Sequence, residues 1–421
     1  MRSFKFIHCA DLHLGTPFRG LSELNPDLGE ALNKSTYTAF ENIVQLAIEE
    51  KVDCLLIAGD VYDSEDSSLK AQMKFRDNLA RLSEEGIWAF VTHGNHDPIS
   101  GWAAKLELPE RVSVFPGDKV TRIPFQDSDE TIAMIYGISF PKQEIHDNLS
   151  LQFTPGKEKV PHIGVLHTMV GASTVHDSYA PCNTKDLTGS GMDYWALGHV
   201  HQGGILRPSS PAIVYSGCSQ SRSPRETGEK GCYLVSIEFG SDPDIKFVST
   251  DVIRYVSDSV DIAALPTLDQ VTDSIIRKWM DISVESDERG VIARLSLKGR
   301  TDLHSQLKRT NSIPEILENV REQLAAKEPF VWLESLRLET AGTYDLDSLK
   351  KGDNFTADII AVFDNLEAPE SEDWEKLREL FQPLFNTWGG NRLLDQLSDE
   401  KLVELARNAK ENILNLLTEE S

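Results

Sequence analysis

Short apolar runs alternate with longer amphipathic stretches from Met1 to about Thr250, the rhythm of a layered α/β fold. Runs at Phe4–Cys9, Cys54–Ala58, Trp88–Thr92, Thr131–Gly137, His162–Leu166 and Tyr194–Leu197 predict strands. Between the first two, Phe40, Ile43, Val44, Ala47 and Ile48 recur at i, i+3, i+4, i+7 and i+8. That spacing makes one helical face, with Ser35 or Thr36 as the expected N-cap. A second helix is expected over Ser67–Glu85. Ala212–Tyr215 and Cys232–Phe239 follow closely without helices between them and suggest a second sheet packed on the first.

The pattern changes near Val256–Pro266. A helix at about Leu268–Ile282, a strand at Val291–Leu297, a helix at about Ile313–Ala326 and a strand at Phe330–Glu339 predict a small α+β domain. Beyond Ala341 the chain turns acidic and helical. Trp374, Leu377, Leu380, Phe381, Leu384 and Phe385 form one apolar face, which Pro383 should bend or end. After Ser398 as N-cap, Leu402, Leu405, Ala406, Ala409, Ile413 and Leu416 form another. Such faces pack on the protein's own core or on a partner helix. Three parts are expected: 1–255, 256–341 and 342–421.

Composition narrows the classes. With 421 residues the chain exceeds what one core usually serves. The apolar run Phe4–Ala10 carries Lys5 and His8 and stops at Asp11, unlike a signal peptide. No segment reaches the roughly twenty apolar residues of a membrane helix, so a cytoplasmic address without membrane partners is expected. Cys9, Cys54, Cys182, Cys218 and Cys232 show no CxxC spacing, which indicates neither a disulfide framework nor a thiolate zinc site. A net charge of −25 argues against tight autonomous binding of nucleic acid, because such surfaces normally carry a basic footprint.

Chemistry is written where the strands run out. Asp11-Leu12-His13 follows the first apolar run, Gly59-Asp60 the second, and Gly94-Asn95-His96-Asp97 the third. His167 and Gly198-His199-Val200-His201 close two later ones. Alone, a strand-end histidine is usually structural. As an ordered set, Asp11, His13, Asp60, Asn95, His167, His199 and His201 supply the oxygen and nitrogen donors of a two-metal hydrolytic site. Between Arg207 and Lys230, four cations (Arg207, Arg222, Arg225 and Lys230) face only Glu226 and Glu229. This local basic stretch makes Arg222, Arg225 and Lys230 candidates for substrate phosphate, against the alternative of a solvated loop.

That order of motifs resembles the calcineurin-like metallophosphoesterases from Phe4 to about Phe239. The resemblance implies a four-layer αββα sandwich with a small α+β capping domain and a helical C-terminal region. It makes Asp11, His13 and His201 ligands of one metal, and Asn95, His167 and His199 ligands of the other, with Asp60 bridging. Two divalent ions exceed the charge of two aspartates, so the site would stay cationic. Ions roughly 3.5 to 4 Å apart can share a water and lower its pKa. Manganese is the first choice, with iron or zinc compatible with the same ligands. His96 is then the general acid or phosphate-orienting group. Asp63, which matches a carboxylate in phosphoprotein phosphatases, is the expected partner of its second ring nitrogen. A local capping role is equally open for Asp97.

The flanks resemble the SbcD-like DNA repair exonucleases, above all the bacterial YhaO-type branch. They are Phe6 to Leu14, Ala58 to Asp63, His93 to Pro98, Tyr179-Ala180-Pro181-Cys182, and Tyr215-Ser216-Gly217 leading through Gln220, Arg222, Glu226 and Gly228 to Lys230-Gly231. In archaeal and eukaryotic break-repair relatives a histidine usually stands at the Asp63 position, so two catalytic histidines are not implied here. The resemblance implies a DNA exonuclease, with endonuclease activity also compatible, working with an SbcC-like coiled-coil ABC-type ATPase that docks on the C-terminal helices. It further implies a homodimer through helices of the first part. The alternatives are a phosphomonoesterase, a cyclic-nucleotide phosphodiesterase or a non-catalytic scaffold subunit, the last disfavoured by the intact donor set.

Overall fold

The computed structural model describes residues 2–16, 26–63, 68–101, 106–171, 179–287, 289–309, 311–325, 330–352, 354–368, 371–385 and 399–419. Two compact units divide the chain: Met1–Val256 with Ser286–Ile292, and Ser257–Glu285 with Ala293–Ser421.

In the first unit every predicted strand forms. One six-stranded sheet has the order β12-β11-β1-β2-β3-β4, from β1 (Phe4–Cys9), β2 (Cys54–Ala58), β3 (Trp88–Thr92), β4 (Val112–Val114), β11 (Gly231–Ile237) and β12 (Asp244–Ser249). The other has the order β5-β6-β7-β8-β10-β9. Its strands are β5 (Thr121–Asp127), β6 (Glu130–Gly137), β7 (His162–His167), β8 (Tyr194–Gly198), β9 (Gly204–Arg207) and β10 (Ala212–Tyr215).

The strands alternate faces and bury both. Phe4, Phe6, Leu56, Ala58 and Phe90 meet Ile135, Ile163, Val165, Ala196 and Val214 between the sheets. Ile7, Cys9, Leu55, Ile57 and Val91 point outward onto Phe40, Val44, Phe75 and Leu79 of the helices Pro26–Glu49 and Leu69–Glu84. Across the second sheet, Tyr136, Leu166, Trp195 and Leu197 pack beneath Leu149, Phe153 and Leu187. Two covered faces explain why these strands read as unbroken apolar runs rather than as alternation. The layers are α, β, β and α, the fourth being thin.

Three sequence expectations need correction. The first helix begins at Pro26, not near Ser35 or Thr36. Proline suits a first turn, whose N–H groups lack intrahelical partners, and the Ser35 hydroxyl instead donates back to Leu32 O within the helix (2.7 Å). The Ser67–Glu85 helix covers Leu69–Glu84 with Ser68 as its cap, accepting from Ala71 N (3.1 Å), while Ser67 lies outside the described residues. Finally, Gly231–Ile237 belongs not to the second sheet but to the first, where it pairs antiparallel with β1. Its run has no helix before it because an antiparallel return needs no crossover.

A three-stranded sheet underlies the second unit, in the order β13 (Ile253–Asp261), β14 (Gly290–Arg300) and β15 (Val331–Ala341). β13 lies where sequence reading saw only a boundary; its Ser257, Asp258, Ser259 and Asp261 hide its strand pattern. Val271, Ile275, Trp279 and Ile282 are the buried face of helix Leu268–Glu285, and Ile316, Val320 and Leu324 that of helix Ser312–Leu324.

C-terminal helices cover Leu346–Lys350, Phe355–Leu366, Glu372–Phe385 and Asp399–Glu419. Glu372–Phe385 continues two residues past Pro383; Trp374 is buried and Leu380 exposed, while the side chains of Phe381, Leu384 and Phe385, and all of Ser398, lie outside the described residues. The last helix buries Leu402, Ala406 and Leu414, with Lys410 among them. Leu405, Ala409 and Leu416 of the predicted face are exposed. The face is rotated because Lys410 reaches Asp364 and Glu367 of helix Phe355–Leu366, and so turns inward. All five cysteines are free and buried. No helix among the described residues is long and apolar enough to cross a membrane.

Candidate metal centre

β1, β2 and β3 run parallel, as do β6, β7, β8 and β10, so within each sheet their carboxyl ends open on one edge. Ligands of open α/β sheets collect at such edges. Asp11, Asp60 and Asn95 leave the first sheet there, while His167, His199 and His201 leave the second. Asp11, His13, Asp60, Asn95 and His167 are all buried.

The backbone is bent to bring them together. Asp11 (φ 50°), His13 (φ 43°), Asp60 (φ 51°) and His199 (φ 100°) occupy the left-handed region, where each residue costs of order 1–3 kcal/mol. Backbone bonds hold the bends: Asp11 N–H donates to Gly59 O (3.0 Å) and His13 N–H to Asp60 O (3.1 Å). Two glycines are required by contact. A side chain on Gly59 (φ 92°) would overlap the His167 ring, and one on Gly94 would overlap the Asp60 carboxylate.

The donors form two overlapping groups. In the first, the His13 and His201 Nε2 atoms face each other at 3.2 Å, with Asp11 completing the cluster. The second has Asn95 Oδ1 at 3.0 Å from His167 Nε2 and 3.2 Å from His199 Nδ1. Asp60 lies between, its Oδ2 3.6 Å from His13 Nε2 and 3.5 Å from His167 Nε2. Its Oδ1 accepts the His96 backbone N–H at 3.0 Å, and both Asp11 oxygens accept that of His199 at 3.1 Å.

Lone pairs test whether divalent ions fit. His167 Nδ1 meets Ala58 O at 2.9 Å, and a carbonyl can only accept, so Nδ1 carries hydrogen and Nε2 is free to coordinate. His201 Nδ1 is likewise held by Glu226 Oε1 at 2.7 Å. Nitrogen and oxygen acceptors therefore converge with too few hydrogens among them, an arrangement that positive charge resolves. The titration shifts agree. Burial would raise the Asp60 carboxyl, but His167, His13 and His96 hold it well below the usual range. Burial would lower His167, yet Asp60 and Asp11 raise it to about 9. His199 is pushed down to about 3, by burial first and His167 second. Glu226 is held down at about 2 against burial by His201 and the Arg222 N–H. These residues suit two divalent ions.

His96 sits at the rim, its ring edge-on to His13 with centroids 4.9 Å apart. Its Nδ1 meets Asp63, but at the backbone carbonyl (3.0 Å) rather than the expected carboxylate. That carboxylate turns to the Arg222 guanidinium and lies 3.4 Å from His13 Nδ1, because a permanent cation with a planar fork of donors competes strongly for it.

Of the three phosphate candidates, Arg222 reaches the donor set, with Nη2 3.5 Å from both His201 ring nitrogens. Arg225 is exposed. Lys230 is 2% exposed and faces Gln202, so no common surface of three cations forms. Two residues do more than the sequence assigned them. Glu226, read there as a countercharge and as part of the flanking run, orients His201. Asp97 accepts N–H groups from Val61 (2.9 Å), Tyr62 (3.4 Å) and Gly94 (2.8 Å) and meets His93 Nδ1 at 3.0 Å, which ties the loops after β2 and β3 together.

Residues 4–203 match the model of the calcineurin-like phosphoesterases, and residues 256–341 that of the middle domain of metallophosphoesterase YhaO. The chain is 32% identical to the uncharacterized metallophosphoesterase YhaO of Bacillus subtilis (strain 168), over 96% of both chains. It is 26% identical to the DNA double-strand break repair protein Mre11 of Aeropyrum pernix, over 58% of this chain and 60% of that one. The same identity holds to Mre11 of Sulfurisphaera tokodaii, over 60% and 64%.

Proposed function

The chain belongs to the calcineurin-like metallophosphoesterases of the YhaO type, and from that membership we propose that it is a manganese-dependent DNA exonuclease of DNA repair. In this reading it acts in the cytoplasm with an SbcC-like coiled-coil ABC-type ATPase. Residues 256–341 cap the nuclease part and residues 342–421 dock the ATPase. The observation that carries the hydrolytic half is the convergence of seven donors around Asp60. Likeness to break-repair proteins supports the DNA half, together with an arginine poised at the rim. A chain of net charge −25 needs both the metals and a partner to hold DNA.

Asp11, His13 and His201 would hold one ion and Asn95, His167 and His199 the other, with Asp60 between them. When bound, the ions supply Lewis acidity and lower the pKa of water. The chain does the rest. Its Asp63 carbonyl holds the His96 ring through Nδ1 and leaves Nε2 to hydrogen-bond a phosphoryl oxygen or protonate the leaving oxygen. Arg222 can leave Asp63 for a phosphate that arrives at the rim, since the two acceptors offer the same bidentate geometry.

Purified protein with manganese should shorten end-labelled duplex or single-stranded DNA, and chelation should stop it. Intact DNA alongside efficient dephosphorylation of nucleotides or phosphoproteins would overturn the nuclease reading.

A further inference from the structure

A cavity of about 280 Å³ is walled by Gln202, Gly217, Cys218 and Lys230, with Tyr233 and Phe247 at its side. It shares backbone with the donor set: Gln202 follows His201, and Cys218 N–H donates to His201 O at 3.1 Å. The two aromatic rings meet edge to face, 5.4 Å apart, and give the cavity a firm apolar wall.

Lys230 is the anomaly. It is 2% exposed, and among the described residues its Nζ makes one hydrogen bond, to the neutral Gln202 Oε1, at 3.4 Å. Among the described residues no carboxylate lies within ion-pair distance of it. Other buried cations in the chain are differently placed: Arg254 meets Asp251 at 3.1 Å, and Lys410 meets Glu367 at 3.1 Å. Glu229, the acid that lines the cavity, is exposed and turns to Arg254 (3.4 Å). Burying a lone ammonium costs several kcal/mol unless an anion repays the lost hydration. In a chain with 67 acidic residues, a buried lysine that meets no carboxylate among the described residues marks a place for an external anion.

We infer that this cavity is an anion subsite in which the Lys230 ammonium binds a phosphate group, and that the phosphate is the one next to the scissile bond on the substrate strand. The second half rests on the nuclease reading; the first does not. Gln202, one residue from a metal ligand, would then link occupancy of the subsite to the seating of His201.

Titrating inorganic phosphate into the chelator-treated full chain tests the first half. Wild type should bind one phosphate. Lys230→Met should weaken that binding by about tenfold or more, the usual worth of a charge-assisted hydrogen bond, and Lys230→Arg should restore most of it. Circular dichroism confirms that each variant is folded. Equal binding by folded Lys230→Met, or none by wild type, sinks the subsite.

Steady-state kinetics with manganese test the second half. Lys230→Met should raise KM for a labelled oligonucleotide by about tenfold more than KM for bis(p-nitrophenyl) phosphate, which has no neighbouring phosphate. Equal effects on both would overturn the assignment to the adjacent phosphate. A wild type that binds phosphate and cleaves the small diester but not DNA would refute the nuclease reading and the adjacent-phosphate assignment, leaving a site for free phosphate.

Discussion

At the level of single residues, Asp60 and His96 differ in how they face the donor set, and the proposed roles divide along that difference. Asp60 Oδ2 stands within 3.6 Å of nitrogens from both donor groups, whereas His96 touches Asp60 only through its backbone N–H. Asp60→Ala should therefore lose metal, and His96→Ala should retain it while losing about 10²–10⁴ in turnover. Elemental analysis beside hydrolysis of bis(p-nitrophenyl) phosphate checks both, and equal metal loss in the two variants would refute the division. Asp63 shows why residue roles are harder to read than residue presence. Its partnership with His96 was legible only as what the family resemblance implies. Whether carbonyl or carboxylate does the holding was not, because that depends on Arg222, 159 positions away.

Among the elements, legibility followed locality. Strands buried on both faces announced themselves as apolar runs. The edge strands β4, β5, β9 and β12 did not, being short or polar, and β5 even contains Pro124, which only an edge tolerates. Sheet membership is a long-range property, which is why β11 was misplaced. The same limit hid the reach of Asp97, read only as a local cap: its carboxylate joins two loops by accepting three backbone N–H groups and facing His93. Asp97→Ala should cost about 2–4 kcal/mol, the penalty for stranding buried donors; denaturant titration measures it, and a loss under 1 kcal/mol would contradict the stitching role. Helix periodicity gave the last helix but not its rotation. Leu414, 1% exposed, should lose about 2–4 kcal/mol on truncation to alanine. Leu416, 62% exposed, should lose under about 0.5 kcal/mol. Reversed magnitudes would mean that the face is turned the other way.

For the molecule as a whole, the sandwich governs function by assembling the site from both sheets. Asp11, His13, Asp60 and Asn95 follow strands of one sheet and His167, His199 and His201 strands of the other, so neither sheet alone carries the full donor set. β1 takes its second neighbour from β11, with Phe4 opposite Ile237. β1 thus waits for a strand far later in the chain, keeping an apolar edge open meanwhile, and contacts this distant in sequence form slowly. Metal capture would report that both sheets have been assembled. Stalled nascent chains that end before His167 should hold no manganese, while chains released after Ser249 should hold it, as elemental analysis of purified stalled complexes would reveal. Fragments that end before His167 would then lack three of the seven donors and carry no hydrolytic site.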